Sequence, residues 1–157
     1  VITSVLCQAI DAVVVLATAA VAPVTVYDGP QFTGDIPQSF VVIGAQGDID
    51  AGTDWSSASG AQDWSQLGAL TRDETTQILC VSVAWDVESM SGARNSAMAA
   101  VTAIETAMRT PPNIRLGLAA VLWADIDVTT LTQASSNDGY LARIGFSIKY
   151  TARLSGV

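Results

Sequence analysis

The chain has no histidine. That removes the commonest general base, proton shuttle and metal ligand at neutral pH. The Ser-His-Asp and Cys-His nucleophile arrangements go with it. Lysine and arginine together number seven against fifteen acidic residues, for a net charge of −8. Phosphate binding needs clustered cations, so a domain that grips nucleic acid is excluded, whereas one past which nucleic acid slides is not. Cysteine is scarce. Cys7 and Cys80 lie far apart, with neither CxxC spacing nor a disulfide framework, and both are expected to be buried free thiols. The apolar run 12–23 is too short to span a bilayer. The apolar N-terminus has no basic stretch ahead of it, so no secretory signal is expected. Membrane contact and a cofactor are likewise not expected.

Half of the residues are hydrophobic, many of them Ala and Val. Small side chains on this scale predict one closely packed domain over 1–157. Apolar residues recur at three and four over 2–20 (Val5, Leu6, Ala9, Val13, Leu16), which predicts a helix capped by Thr3 or Ser4 and ended by Pro23. The stretch 24–44 reads as strand, turn, polar excursion and strand. Val24 to Tyr27 is β-branched and aromatic, Asp28-Gly29-Pro30 stops it, and Phe40 to Ile43 resumes. Residues 45–68 are rich in Gly, Ser, Asp and Ala and read as one long flexible loop carrying Trp55 and Trp64. Exposed tryptophans on such a loop suit a partner surface.

A strand over 70–86 is apolar on both faces from Ile78 to Trp85, as a central strand would be. A helix over 89–110 follows, capped by Ser91, with the stripe Ala93, Ala97, Ala100, Val101, Ile104, Ala107 and Met108. A strand over 116–128 places Leu118, Ala120, Leu122, Ala124, Ile126 and Val128 on one face and Trp123, Asp125 and Asp127 on the other. Polar residues 131–137 lead to an Asn-Asp-Gly turn. The strand 140–154 alternates an apolar face with a wet, basic one bearing Arg143, Lys149 and Arg153, against which Asp125 and Asp127 could pair. The order α-β-β-β-α-β-β predicts an α+β fold, with an antiparallel or mixed sheet of four to five strands and two helices packed on it.

Catalytic and metal motifs do not assemble from this inventory. Asp48 and Asp50 begin like a calcium loop, but Gly52, Thr53 and Ser59 stand where the pattern needs a carboxylate or Asn, a Gly and a Glu. The carboxylate pairs Asp73-Glu74, Asp86-Glu88 and Asp125-Asp127 qualify for acid–base work by type alone. Strand alternation explains the last pair as a solvent-facing edge. No enzyme is expected.

The segments VTVYDGP, GDIP, VVIG and GARNSAMAAVTAIETAM occur in an order that, with the two C-terminal strands, resembles the tail terminator proteins of long, non-contractile phage tails. The resemblance spans nearly the whole chain except 45–68. It implies a virion protein at the head-tail junction, assembled in the host cytoplasm as a ring of about six copies. Such a ring caps the major tail tube protein, ends tube polymerisation and offers a surface to the head-neck connector or stopper protein. DNA passes through its lumen without specific binding. A closed ring needs two different complementary edges on each subunit. Tyr27, Asp28, Gly29, Pro30, Asp35, Trp55 and Trp64 are expected on one, and Arg143, Lys149 and Arg153 on the other. Arg94, in the matching helix opening, joins this interface set. Replacing Gly29 or Pro30 is expected to impair ring closure before it unfolds the domain. Another neck, head-completion or tube subunit is the alternative, with an acidic-loop ligand-binding module behind it.

Overall fold

In a computed structural model, residues 3–30, 37–45, 56–65 and 70–155 are described. The sheet is built around a sixteen-residue strand, β4 (Thr71–Asp86). One side of β4 pairs along its whole length with β6 (Gly139–Ser155), antiparallel, from Thr71↔Ser155 to Asp86↔Tyr140. Its other side is shared by two short strands laid end to end. These are β2 (Ser39–Ile43) against residues 80–84 and β3 (Ala58–Trp64) against residues 72–78, both antiparallel. Beyond β2 lies β1 (Thr25–Asp28), parallel to it, and beyond β6 lies β5 (Val121–Ser136), antiparallel. The result is a six-stranded mixed sheet. The fold is α+β, as the sequence predicts, with one more strand than expected.

Two helices, α1 (Leu6–Ala20) and α2 (Met90–Met108), pack on one face of this sheet. Helix α1 buries Ala9, Val13, Leu16 and Ala17, and α2 buries Ala93, Ala97, Ala100, Val101, Ile104 and Met108. The alanines let α2 lie close to β4. Ser82 Oγ, on the sheet, donates 2.9 Å to the Ala97 carbonyl on the helix. Sheet residues facing the helices alternate as predicted, with Ala142, Ile144, Phe146, Ile148, Tyr150, Ala152 and Leu154 all buried. β4 is the central strand, and Ile78, Cys80, Val81, Ser82, Val83 and Ala84 are buried in it, although helices cover only one of its faces.

Several boundaries differ from expectation for local reasons. Seven residues of the expected loop 45–68 form β3. Its Ala, Ser, Gly and Gln have little strand propensity, but the first half of β4 extends beyond β2 and offers an unpaired ladder that this segment fills. Gly60 is required there, because a Cβ would stand 2.3 Å from Thr76 Oγ1 and 2.8 Å from the Thr75 carbonyl. The expected strand 116–128 starts later. Ile114–Gly117 is a 3-10 turn in which Arg115 (φ 62°) and Leu116 (φ 56°) are left-handed, and Leu116 turns into the core. β5 then runs through the polar 131–136 to the turn. Bulges at Leu122 and Thr129 reset its alternation, so Val121 takes the buried place expected of Ala120 and Leu122, while Trp123, Asp125 and Asp127 keep the opposite face.

The caps and one thiol also differ. Helix α2 is capped by Ser89, whose Oγ accepts from Gly92 N–H at 2.9 Å, and Ser91 lies inside the helix. Ser4 Oγ accepts from Leu6 N–H at 3.0 Å at the start of α1. Cys80 is buried but Cys7 is exposed, because Cys7 sits on the outer side of α1, away from Val5 and Ala9. No described helix is long and apolar enough to cross a membrane.

Candidate functional surface

The residues singled out in the sequence fall into separate places. Tyr27, Asp28, Gly29 and Pro30 lie at the end of β1. Gly29 takes φ +76° and its N–H donates 2.8 Å to the Ile43 carbonyl, so the chain leaves the sheet under a backbone constraint that only glycine meets without strain. Tyr27 packs edge to face on Phe40, ring centroids 5.8 Å apart, on the face that carries no helix. There Phe40, Val42, Val81 and Val83 form a second, smaller buried cluster. Beside it Pro37, Gln38, Phe40, Val83, Trp85 and Leu141 line an open apolar depression of about 270 Å³. Asp35, Trp55 and the calcium-loop aspartates Asp48 and Asp50 lie outside the described residues. Trp64 stands at the opposite end of the sheet, 68% exposed, with the Arg72 guanidinium 5.8 Å from its ring centroid.

The basic residues of β6 share the helix-free face, as alternation predicts, but they are not an edge. β6 lies between β4 and β5, so it offers a face only. Their charges are also engaged. Arg153 makes a two-pronged pair with Asp73, Nε to Oδ1 at 2.8 Å and Nη2 to Oδ2 at 3.0 Å. That guanidinium holds the Asp73 carboxyl below its usual range. Lys149 Nζ pairs with Asp127, and Arg143 is also in contact with a partner. Asp125 accepts instead from Arg109 at 3.4 Å, at the end of α2. Arg94 Nη1 donates 2.9 Å to Gln133 Oε1, tying the start of α2 to β5. The face is also drier than expected at its middle, where Gly145 and Ser147 are buried.

The carboxylate pairs separate into individual structural roles. Asp86 Oδ1 accepts from Glu88 N–H at 2.6 Å and Ser89 N–H at 3.2 Å, shaping the turn into α2. Asp73 and Glu74 point to opposite faces. Glu74 is 2% exposed and lies under the start of α1, where it accepts from Tyr150 Oη at 2.9 Å, Gln62 Nε2 at 2.8 Å and Val5 N–H at 3.4 Å. Burial pushes the Glu74 carboxyl up, but hydrogen bonds from Ser4, Gln62, Tyr150 and Val5 outweigh it and hold the group below its ordinary 4.5. Burial and the neighbouring carboxylate push the Tyr150 phenol up. This network was readable in part. Carrying the β4 alternation back from Ile78 through Thr76 places Glu74 on the inward face, and the β6 alternation does the same for Tyr150.

The arrangement provides shape and surface. Among the described residues no group of three or more Cys, Asp or Glu is placed to hold a metal ion. The two sides of the sheet end differently. β5 is a sixteen-residue edge with exposed Leu122, Trp123, Val128 and Leu131, whereas the other side ends in the four residues of β1 and the seven of β3. No protein-family model and no curated protein sequence matches the chain.

Proposed function

We propose that this chain is a structural subunit of a phage particle that closes into a ring, caps the tail tube, ends tube polymerisation and presents the docking surface for the head-neck connector. The observation that carries the reading is the inequality of the two sheet edges. Head-to-tail contacts need two unlike surfaces on one subunit, and a sheet with a long edge on one side and two short ones on the other supplies them. The charge agrees with a lumen that DNA traverses. A subunit of net charge −8, whose described lysine and helix-free arginines are engaged with neighbours, repels phosphate rather than holding it. Tyr27, Gly29, Pro30 and Trp64 remain the contact residues proposed on the β1 and β3 side.

The test is assembly. The purified chain is mixed with tail tubes lacking their cap and followed by light scattering and negative-stain microscopy. Rings at tube ends, with tubes that stop growing, are expected. A chain that stays monomeric and leaves tube ends bare refutes the reading. Polymerisation of the chain by itself into long tubes would identify a tube subunit instead.

A further inference from the structure

Exposed sheet edges are normally blunted by shortness, by Pro or Lys, by bulges or by inward charge. The β1 edge follows this rule, being four residues long and closed by Asp28-Gly29-Pro30. β5 follows it only as far as its second bulge. Around and beyond that bulge, at Thr129, residues 128–136 read VTTLTQASS, β-branched at four of the first five positions, with no charge and no proline. Among the described residues, no strand pairs with its outer side. Val128 and Leu131 stand 51% and 52% exposed on it.

We propose that residues 128–136 of β5 add to the outer edge of β3, with which no strand pairs among the described residues, in the next copy of the chain, forming an antiparallel ladder between subunits. This inference rests on the ring reading above and names its contact. Strand directions permit it. β3 runs antiparallel to β4, β4 to β6 and β6 to β5, so β3 and β5 of one copy run in opposite senses. Repeating the sheet sideways in the same orientation therefore sets β5 antiparallel to the next β3. Charge selects the half of β5. Asp63 of β3 shares the helix-free face with Asp125 and Asp127, and pairing residues 121–127 with β3 would bring like charges together. Residues 128–136 instead set Thr130 opposite Ala61 and Thr132 opposite Ser59, all neutral. β3 has seven residues to pair, against four in β1.

The experiment uses the full chain in a Cys7→Ser background, since Cys7 is exposed and Cys80 is buried. Ser59→Cys and Thr132→Cys variants are oxidised separately and as an equal mixture, beside a Thr132→Lys variant tested for ring formation. A disulfide between the two variants in the mixture only, and self-association weakened about tenfold or more by the edge lysine with an unchanged unfolding midpoint, are the expected results. A disulfide formed by Thr132→Cys alone would mean that β5 pairs with itself about a two-fold axis, and overturns the inference. Rings that form normally with Thr132→Lys and give no mixed disulfide overturn the strand contact while leaving the ring reading intact. Absence of any assembly removes both.

Discussion

One sheet carries two unlike faces. On the helix side, Phe146, Ile148, Ile78 and Cys80 meet Ala93, Ala97 and Ile104 with almost no polar atoms, and Glu74, the one buried carboxylate among the described residues, is enclosed by donors. On the other side Asp73–Arg153 and Asp127–Lys149 pairs cross the strands in solvent, and Thr75 and Thr151 hydroxyls meet at 3.1 Å. The first face removes apolar area from water at about 25 cal/mol per Å². Away from the small Phe40, Val42, Val81 and Val83 cluster, the second gains little, because exposed pairs are screened and entropically costly. Most of the stability therefore resides in the helix-covered face, where the larger cluster lies. The open face and its edges are free to vary, which is where assembly contacts belong.

The contrast is broken most directly by Phe146→Ala. This ring is fully buried on the helix side, and its loss is expected to cost about 3–5 kcal/mol, read as a lower denaturant midpoint. Glu74→Gln comes next. A neutral amide replaces the carboxylate that Tyr150, Gln62 and Val5 address, for an expected loss of about 1–3 kcal/mol at neutral pH. Its pH dependence sharpens the point. Because folding lowers the Glu74 pKa, the carboxylate's contribution is complete above the ordinary 4.5 and fades as pH falls through the folded value. The wild type should therefore lose its margin over Glu74→Gln in acid, with the two unfolding curves converging. A constant gap down to the acid limit would mean that Glu74 does not titrate with the fold. Ser89→Ala removes the α2 cap and is expected to cost about 1 kcal/mol, with the helix fraying from Met90 by hydrogen exchange.

The sequence revealed the covered face better than the open one, and the reason is physical. Burial against a helix imposes periodicity, so the stripe of α2 and the alternation of β6 from Ala142 to Leu154 can be read directly. β3 has no such imprint. It becomes a strand because β4 overhangs β2, and its exposed Ser59, Gly60 and Gln62 carry no burial period to read. The same holds for residues 131–136, where polarity suggested a turn approach although Thr132 and the preceding Thr129 and Thr130 favour a strand. Arg115 and Leu116 show tertiary demand overriding local preference, since a left-handed backbone at two non-glycine residues delivers the Leu116 side chain into the core. The contact residues were legible as types and not as places. Tyr27 and Trp64 lie at different ends of the sheet, and no local pattern reports which edge strand a basic strand such as β6 lies behind.

The smallest expected effect tests the other half of the comparison. Arg153 is exposed and its pair with Asp73 lies wholly on the helix-free face. If that face contributes little to folding, Arg153→Ala should leave the denaturant midpoint unchanged within error, at low salt and at high. Its effect should emerge only in assembly. Removing the guanidinium leaves Asp73 unpaired on a surface that already carries Asp63 next to it across the ladder, so the negative field beside β3 rises. Self-association should then weaken at low salt and recover as added salt screens the repulsion. A midpoint shift as large as that of Ser89→Ala would place structural energy on the open face and erase the distinction between the two sides.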